Sequence, residues 1–347
     1  MTDTAAQSGI DGLTPAPGAS ELAAKVAFLS SPDAYPNHPQ AVERVETHMS
    51  WLFLTGERVF KLKKPLKRPF LDFSSLEKRR RNCEIELRLN RRLAADTYLG
   101  LVSLVRRPDG GLALGGEGEI VDWLVEMRQL PAADMLDRRL REGAVTREEI
   151  VGVARHLAQL YHWETPRIAD GYAYIDHLFK ESRINREQNM RPEFGLDGAA
   201  TRAVLDRAEA LLDHWRPAIG ARIAGGHIVE GHGDLRPEHV CLTSPPRIID
   251  CLEFDRRMRL LDPYDEVNYL GLECEFLSAC WVRPLMMQTL EEIVGDAPDP
   301  RLIATYGAFR AILRARISNV HLEGRDVAAP EHWPAPARRY LAIAAEE

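Results

Sequence analysis

Cysteine is scarce in this chain of 347 residues, and its pattern argues against a cross-linked or zinc-bound scaffold. The five cysteines are an odd number without CxxC spacing, which fits reduced thiols better than a disulfide framework. Long apolar runs are also missing, since none approaches the roughly 20 residues that span a bilayer. A net charge of -7 argues against a nucleic-acid binder. We therefore expect a cytoplasmic globular protein that binds neither membranes nor nucleic acid.

The first twenty residues lack the features of a secretion signal. The segment "MTDTAAQSGIDGLTPAPGAS" has neither a basic start nor an apolar core. We interpret residues 1–20 as a disordered leader.

Lysine is the third scarcity, because most basic residues of this chain are arginines. Lys61, Lys63, Lys64 and Lys67 nevertheless stand together in one short segment. Ammonium and guanidinium groups do different chemical work, so a lysine cluster in an arginine-rich chain is informative. Lys61 and Lys63 are two residues apart on a predicted strand and therefore share one face. We expect one of these two lysines to point inward, and the rest of the cluster to be a solvated turn.

The secondary-structure pattern changes near residue 130. Before it, short strands ("VERVETH", "SWLFLT", "RVFKLKK", "LVSLVRR", "GEIVDWLVEMRQLP") surround one long helix that starts at Ser74 or Ser75 and runs to Tyr98. The stretch "PDGGLALGGEG" is expected to be a loop. After residue 130 helices dominate, and a small strand pair, "HVCL" and "RIID", interrupts them. The sequence predicts an α+β fold with an N-terminal lobe at 21–130 and a helical C-terminal lobe at 131–347.

Two aspartates stand near the predicted strand pair. Asp234 follows Gly233, where the backbone can turn tightly, and Asp250 ends the strand "RIID" sixteen residues later. A hairpin between them would bring the two carboxylates together. One carboxylate can then orient a hydroxyl group while the other holds a hard divalent cation. Upstream, a strand lysine and a helix glutamate (Glu84 or Glu86) can form an ion pair that fixes an ammonium against phosphates.

These motifs, in this order, carry a resemblance. "HGDLRPEHV" resembles the catalytic loop of the aminoglycoside phosphotransferase and choline kinase families, "IIDCLEF" resembles their metal-binding strand end, and "LDPYDEVNYL" the helix start that follows. The segment from "ETHMSWLFLT" to "LRLNRRLA" is similar to an uncharacterised bacterial group of phosphotransferase-like proteins. Some members of that group also carry a P-loop ATPase domain, but no GxxxxGK[ST] occurs here. The resemblance covers roughly residues 40–275.

The resemblance implies a bilobal protein-kinase-like fold and an ATP- and Mg²⁺-dependent transfer of phosphate to a hydroxyl group of a small molecule, with Mn²⁺ as a possible substitute. It gives Asp234 the role of base and Asp250 that of magnesium ligand. Lys61 is the first choice for the phosphate-binding lysine and Lys63 the alternative. Glu86 is the first choice for its partner and Glu84 the second.

The nucleotide contacts follow from the same resemblance. The segment "VEMRQ", around Glu126, Met127 and Arg128, would be the hinge whose backbone meets adenine. Thr47–Ser50, between the first two strands, takes the place of the phosphate-covering loop, although it has no glycine fingerprint.

His239 departs from the family pattern, which has an asparagine there as a second magnesium ligand. Mg²⁺ prefers oxygen, and imidazole suits softer metals. Three alternatives stay open. One firmly held metal suffices, Glu238 or Glu253 supplies the missing oxygen, or the loop is a degraded site in a nucleotide-binding pseudokinase that regulates a partner protein.

Other side chains have simpler interpretations. His232 is expected to be structural, with its ring bonded to a nearby carbonyl, and the His and Cys residues around it match no zinc pattern. Acidic residues after the metal strand would favour an amine-bearing acceptor such as an aminosugar or amino alcohol: Asp262, Asp265, Glu266, Glu273 and Glu275. Asp262 and Asp265 are more readily explained as caps and supports for the catalytic loop. A kinase-fold enzyme that modifies a protein side chain is a further alternative.

Overall fold

The computed structural model describes residues 19–68, 71–164, 172–320 and 335–347. The described residues form two compact units, one made of those up to Leu87 and from Tyr98 to Gln129, the other of those from Arg88 to Thr97 and from Leu130 onward. The ten residues 88–97 therefore belong to the second unit. A single boundary near residue 130 would place them in the first. The expected leader lies outside the described residues except for Ala19 and Ser20, which already belong to the first helix.

The first unit is a six-stranded antiparallel sheet with two helices. Its elements are α1 (Ala19–Leu29), β1 (Glu43–Glu46), β2 (Ser50–Leu54), β3 (Arg58–Lys63), the short pair β4 (Lys67–Arg68) and β5 (Leu71–Asp72), α2 (Leu76–Ala94), β6 (Tyr98–Arg106), β7 (Leu112–Leu114) and β8 (Glu119–Arg128). The strand order is β1-β2-β3-β8-β6-β7. The buried face of the sheet includes Phe53, Leu62, Leu104 and Leu124. This core fixes the register that places Lys61 beside Val125 of β8.

Two local expectations for this unit are wrong. The loop "PDGGLALGGEG" contains β7, because Leu112 and Leu114 alternate and pair with β6 while glycines with positive φ turn the chain on either side. The long helix ends at Ala94, and β6 begins at Tyr98, which the sequence pattern assigns to the helix. Tyr98 is buried, and its place in the sheet outweighs the local helical pattern.

The second unit is helical. Its helices are α3 (Leu136–Arg141), α4 (Arg147–Gln159), which continues as a π-helical turn at Leu160–Glu164, α5 (Tyr172–Asn189), α6 (Gly198–Ala224), α7 (Pro263–Phe276), α8 (Val282–Val294), α9 (Pro300–Val320) and α10 (Ala335–Glu346). Within the described ranges, every helix of the chain is too short or too polar to form a transmembrane span.

Four short strands interrupt these helices: β9 (Val229–Glu230), β10 (Val240–Cys241), β11 (Arg247–Ile248) and β12 (Leu260–Leu261). β10 and β11 pair as the hairpin that the sequence predicted, whereas the β9–β12 pair was not foreseen.

Helix starts are defined by side chains, as at Thr146, whose hydroxyl and Glu149 form a reciprocal capping box.

A buried ion network in the first unit joins α1, α2 and β8. Asp122 of β8 accepts hydrogen bonds from Lys25 at 2.9 Å and from Arg79 at 2.8 and 3.0 Å, and all three side chains are buried. Removing the carboxylate charge would leave the buried Arg79 without its ion-pair partner and Lys25 with only the exposed Glu21.

We expect Asp122→Asn to lower the free energy of unfolding by roughly 3–5 kcal/mol. Glu84→Gln is the matched control, because the exposed Arg80–Glu84 pair is expected to contribute less than about 1 kcal/mol. Urea denaturation of both variants measures the difference, and equal losses would contradict the role given to Asp122.

Candidate functional site

The loop that carries Asp234 follows β9 and is held by one buried carboxylate. Glu266 of α7 is 1% exposed and accepts the backbone N–H groups of His232, at 3.0 Å, and Gly233, at 2.6 Å. Gly231 has no room for a Cβ against Glu266, and Gly233 has a φ of +90°. The loop therefore needs glycine at both positions, one for space and one for conformation.

The His232 ring bonds to a nearby carbonyl, as expected. The ring is fully buried, Nε2 donates to the Ile249 carbonyl at 2.8 Å, and Nδ1 accepts the Asp234 N–H at 3.3 Å. A neutral imidazole satisfies both contacts at once. Burial lowers the pKa of His232 to about 4. This ring therefore joins the Asp234 loop to the segment just before Asp250 without carrying charge at neutral pH.

Asp234 keeps its carboxylate partly accessible, with 34% of the side chain exposed. Arg236 Nε lies 3.2 Å from Oδ1, and the Tyr269 hydroxyl donates to the same oxygen at 3.4 Å. Burial works against the charged form, but the electrostatic effects of Arg236, and then of the His239 ring, outweigh it and lower the pKa of Asp234 below its ordinary value. The carboxylate is thus ionised at neutral pH and able to accept a proton or orient a hydroxyl group.

Arg236 is a site residue that sequence reasoning missed. Besides facing Asp234, its Nη1 contacts Glu238 at 2.6 Å, and its Nη2 lies 3.3 Å from His239 Nε2. Its position two residues after Asp234 was the available signal. The sequence could not show that the side chain folds back along the loop.

Asp250 lies two residues beyond the end of β11, not at the strand end as expected. Its backbone has a φ of +62°, and its side chain is 48% exposed. The neighbouring Cys251 N–H donates to Asn90 Oδ1 at 2.8 Å, and the Leu252 N–H donates to the His232 carbonyl at 3.0 Å. Hydrogen bonds immediately after Asp250 therefore fix the direction in which this carboxylate leaves the loop.

His239 joins the two aspartate segments. Its Nδ1 lies 2.8 Å from the Asp234 carbonyl oxygen, which can only accept, so Nδ1 donates. Its Nε2 lies 3.7 Å from Asp250 Oδ2. The ring is 5.7 Å from that of His232 and stacks on it. One imidazole thus connects the two loops that hold Asp234 and Asp250.

The residues around Asp250 offer few ligands for a metal ion. Among the described residues, no group of three or more His, Cys, Asp or Glu side chains is arranged to hold one. Mg²⁺ is commonly bound by one or two carboxylates together with substrate phosphates and water, so the accessible Asp250 carboxylate fits it. Glu253, the sequence candidate for a further ligand, is 8% exposed three residues beyond Asp250.

Two lysines of the cluster, Lys61 and Lys63 on β3, share one ion-pair partner on α2. Glu86 of α2 accepts from both lysines, from Lys61 Nζ at 2.8 Å through Oε1 and from Lys63 Nζ at 2.6 Å through Oε2. Lys63 and Glu86 are fully buried, whereas Lys61 keeps 12% of its side chain exposed. Glu84 instead pairs with Arg80 at the surface. Both lysines therefore pair with Glu86, and Glu84 is not their partner.

The expected nucleotide contacts lie in the same unit. Thr47 and Ser50 form the tight β1–β2 turn, in which the Thr47 hydroxyl accepts the Ser50 N–H at 3.0 Å. Lys64 Nζ donates to the Thr47 carbonyl at 2.6 Å. Glu126–Arg128 are the last three residues of β8, directly before the chain passes into the second unit.

The C-terminal part of α2 supports the aspartate loops. Arg92 donates to the carbonyls of Glu230, at 2.7 Å, and Gly231, at 2.9 Å. Asn90, one helical turn after Glu86, holds the Cys251 N–H. A single helix therefore carries the partner of the lysines and two anchors of the loops that precede Asp234 and follow Asp250.

The five acidic residues that were expected to favour an amine-bearing acceptor do not form a negative surface. Four of them are buried and bonded to other residues of the protein. Asp262 is the N-cap of α7 and pairs with Arg222, Asp265 pairs with Arg310, and Glu273 pairs with Arg314. Glu266 holds the Asp234 loop, and Glu275, the only partly exposed member of the five, lies 3.4 Å from Arg283. These carboxylates stabilise the second unit and do not present a negative surface to an acceptor.

We expect stability to fall as pH decreases from about 6.5 to about 4. In this window the unfolded chain protonates His232 but the folded protein does not, so protons favour unfolding. The loss from this group amounts to about 3 kcal/mol at most. Chemical denaturation at pH 7.5, 5.5 and 4.5 measures it.

His232→Gln is the matched variant, because glutamine can still donate to the Ile249 carbonyl and does not titrate. Its unfolding free energy should depend less on pH over that window. An unchanged pH dependence would show that His232 does not carry the effect.

Comparison with known proteins places the fold. The chain is similar to a choline/ethanolamine kinase family protein from Mesorhizobium loti (TM-score 0.54, 16% identity, 93% of this chain and 99% of that one). It is also similar to choline kinase LicA from Streptococcus pneumoniae (TM-score 0.53, 14% identity, 94% of this chain and 99% of that one). These matches confirm the kinase-like fold that the sequence resemblance implied.

The curated relatives are uncharacterised proteins from Mycobacterium tuberculosis and Mycobacterium bovis. They are 30% identical over 322 residues, which cover 90% of this chain but 61% of theirs. The chain thus spans about three fifths of the length of these relatives. No family model matches the chain.

Proposed function

We propose that this protein is an ATP- and Mg²⁺-dependent phosphotransferase that moves the γ-phosphate to a hydroxyl group of a small molecule. The observation that carries the proposal is the arrangement around His239. An ionised, accessible Asp234 and an accessible Asp250 lie on two loops that one imidazole joins. The fold is that of proteins named as choline or choline/ethanolamine kinases, which supports the same reaction class.

Asp234 is the base in this proposal. Its lowered pKa keeps it ionised, so it orients the acceptor hydroxyl and receives its proton as the phosphoryl group transfers. Asp250 would hold Mg²⁺, which supplies charge neutralisation on the phosphates of the nucleotide when it is bound. Arg236 places a guanidinium beside Asp234, where negative charge develops on the transferring group. Phosphoryl transfer requires mainly positioning and charge stabilisation from the protein.

The two lysines divide their work by exposure. Lys61 retains accessible surface and is the proposed phosphate-binding lysine, while the fully buried Lys63 holds the other oxygen of Glu86 and so fixes the carboxylate. The Thr47–Ser50 turn and the end of β8 at Glu126–Arg128 are the proposed phosphate-covering and adenine-binding segments. His239 acts as a connector of the two loops, and Glu253 remains a candidate for additional support of the metal.

Substitutions of Asp234 and Asp250 should impair different steps, turnover in the first case and metal-dependent nucleotide binding in the second. We expect Asp234→Asn to lower kcat by roughly 10²–10⁴ with nucleotide affinity kept, because the base is lost and the metal ligand remains. Asp250→Asn should instead abolish the Mg²⁺ dependence of nucleotide binding. An ATP-consumption screen against a metabolite panel identifies the acceptor, and isothermal titration calorimetry with and without Mg²⁺ separates the two effects.

Asp213→Asn is the matched control, because this carboxylate is 71% exposed on α6. It should leave both measurements unchanged. Full turnover in both site variants would exclude this site. A different result would identify a pseudokinase. In that case the unmodified chain binds ATP without transferring phosphate to any acceptor, and His239→Asn restores turnover.

Lys61→Met and Lys63→Met should also have different effects, one on nucleotide binding and the other on stability. Lys61→Met is expected to weaken nucleotide binding about tenfold, a loss of about 1.4 kcal/mol, while Glu86 stays paired with Lys63. Lys63→Met removes a fully buried partner of Glu86 and should cost roughly 3–5 kcal/mol of folding free energy. Nucleotide titration and urea denaturation on both variants test the assignment, which a reversed pattern would contradict.

A further inference from the structure

A cavity of about 410 Å³ lies in the first unit, between α1 and the edge of the sheet formed by β1 and β2. We call it the α1 cavity. Its helix side is formed by apolar side chains at helical spacing: Leu22, Ala23, Val26 and Ala27. Pockets that hold small molecules range from about 300 to 1,000 Å³, so the α1 cavity has room for a ligand.

The α1 cavity lies on the opposite face of the sheet from Lys61 and Lys63. Its Trp51, on β2, pairs with Leu62 of β3, and successive residues of a strand point to opposite faces. Leu62 belongs to the core that α1 covers, whereas Lys61 and Lys63 contact Glu86 of α2. The cavity is therefore distinct from the ion-pair group that is proposed to bind phosphate.

Two cationic side chains of the cavity lie against one indole ring. The Arg44 guanidinium is 5.1 Å from the centre of the Trp51 ring, and the Lys64 ammonium is 5.4 Å from it. Lys64 also donates to Glu46 and to the Thr47 carbonyl, each at 2.6 Å, and only 13% of its side chain is exposed. An anionic group placed at this ring would meet two positive charges.

Both cations keep donors that the described residues do not use. An ammonium group has three N–H donors, and Glu46 and Thr47 take two of those on Lys64. Within the described ranges no carboxylate forms an ion pair with Arg44, and Glu46 on the same strand pairs with Lys64 instead. A guanidinium group matches a carboxylate with two parallel hydrogen bonds. The open donors therefore fit a carboxylate.

The charge and the apolar surface of the cavity define the rest of the ligand. Arg44 and Lys64 carry two positive charges and Glu46 one negative charge, which leaves one net positive charge in the lining. A single carboxylate balances this charge, whereas a phosphate ester, with roughly 1.5 to 2 negative charges at pH 7, exceeds it. The apolar side of α1 and the Trp51 ring favour a ligand whose remaining part is apolar.

We propose that the α1 cavity binds a small monocarboxylate with an apolar body. The carboxylate accepts from Arg44 and from the third N–H of Lys64, and the apolar body lies between Trp51 and α1. Bound ligand thereby holds the ammonium that also donates to the Thr47 carbonyl, so it stabilises the Thr47–Ser50 turn. That turn is the proposed phosphate-covering segment. An effect on nucleotide binding rests on the proposed function, whereas the cavity and its ligand class do not.

Titration calorimetry on the full chain without ATP tests the ligand class. The probes are 4-phenylbutyrate, its neutral amide and the cationic 4-phenylbutylamine, which share one apolar body. We expect the carboxylate to bind about tenfold more tightly than the amide, because charge-assisted hydrogen bonds are lost in the amide. The amine should bind least, because it brings a third positive charge to the cavity.

Two variants test the location, one by charge and one by volume. Arg44→Gln and Ala27→Phe should each weaken 4-phenylbutyrate binding about tenfold, the first by removing the guanidinium and the second by filling the cavity. Arg107→Gln and Ala24→Phe are the matched controls, because they make the same changes at exposed positions outside the lining. All four positions are exposed, and urea denaturation verifies that each variant folds.

Amide hydrogen exchange tests the link to the turn without any nucleotide. The Ser50 N–H donates to the Thr47 hydroxyl, and the Thr47 N–H donates to the Ser50 carbonyl. Saturating 4-phenylbutyrate should slow the exchange of both amides. In Lys64→Met the ligand still meets Arg44, but the connection to the turn is lost, so the exchange should not change at saturation.

The proposal is overturned if 4-phenylbutyrate does not bind, binds no better than its amide, or binds equally well to Arg44→Gln and Ala27→Phe. Binding that leaves the exchange of the turn unchanged overturns the link through Lys64. ATP is titrated in parallel, with and without the carboxylate. If no nucleotide binds while the carboxylate does, the proposed function fails and the α1 cavity stands, and the opposite result rejects the cavity alone.

Discussion

The second unit depends on a buried carboxylate, Glu266, that accepts the N–H groups of His232 and Gly233. Burial raises its pKa, and the hydrogen bonds from the loop and from the Tyr161 hydroxyl act in the opposite direction. A buried carboxylate is tolerated only when such donors surround it. The same hydrogen bonds thus stabilise the buried charge of Glu266 and hold the loop in place. Asp234 is placed by this contact without touching Glu266 itself.

A second layer of contacts joins this loop to Asp250. His232 and His239 are neighbours by ring stacking, and each holds a main-chain carbonyl with one nitrogen. Asn90 and Arg92 of α2 add hydrogen bonds from the outside. The two acidic side chains therefore lie on loops whose backbones are fixed at several points, which is the condition for a site that acts by positioning. His239 gains a role that does not require it to bind a metal.

The local pattern predicted much of this arrangement and missed its details. The β10–β11 hairpin and the strand position of Lys61 and Lys63 follow from alternation and turn residues, which act over a few residues. The β9–β12 pair and β7 were missed, because strands of two or three residues carry too little pattern. The prediction that acidic residues would favour an amine-bearing acceptor was wrong for a different reason. A sequence shows Asp262, Asp265 and Glu273 but not the arginines 40 or more residues away that pair with them.

Through its resemblance to known families, the sequence by itself implied the reaction class that is proposed and the residues that would carry it, since "HGDLRPEHV", "IIDCLEF" and the lysine strand are local motifs. Only the tertiary structure decided which partners these residues have. It gave both lysines to Glu86, placed Arg236 against Asp234, and brought Arg44 and Lys64 to one indole ring. The physical reason is that hydrogen bonds and ion pairs depend on distances of about 3 Å between atoms. Residues far apart in the chain reach such distances only when the helices and strands pack.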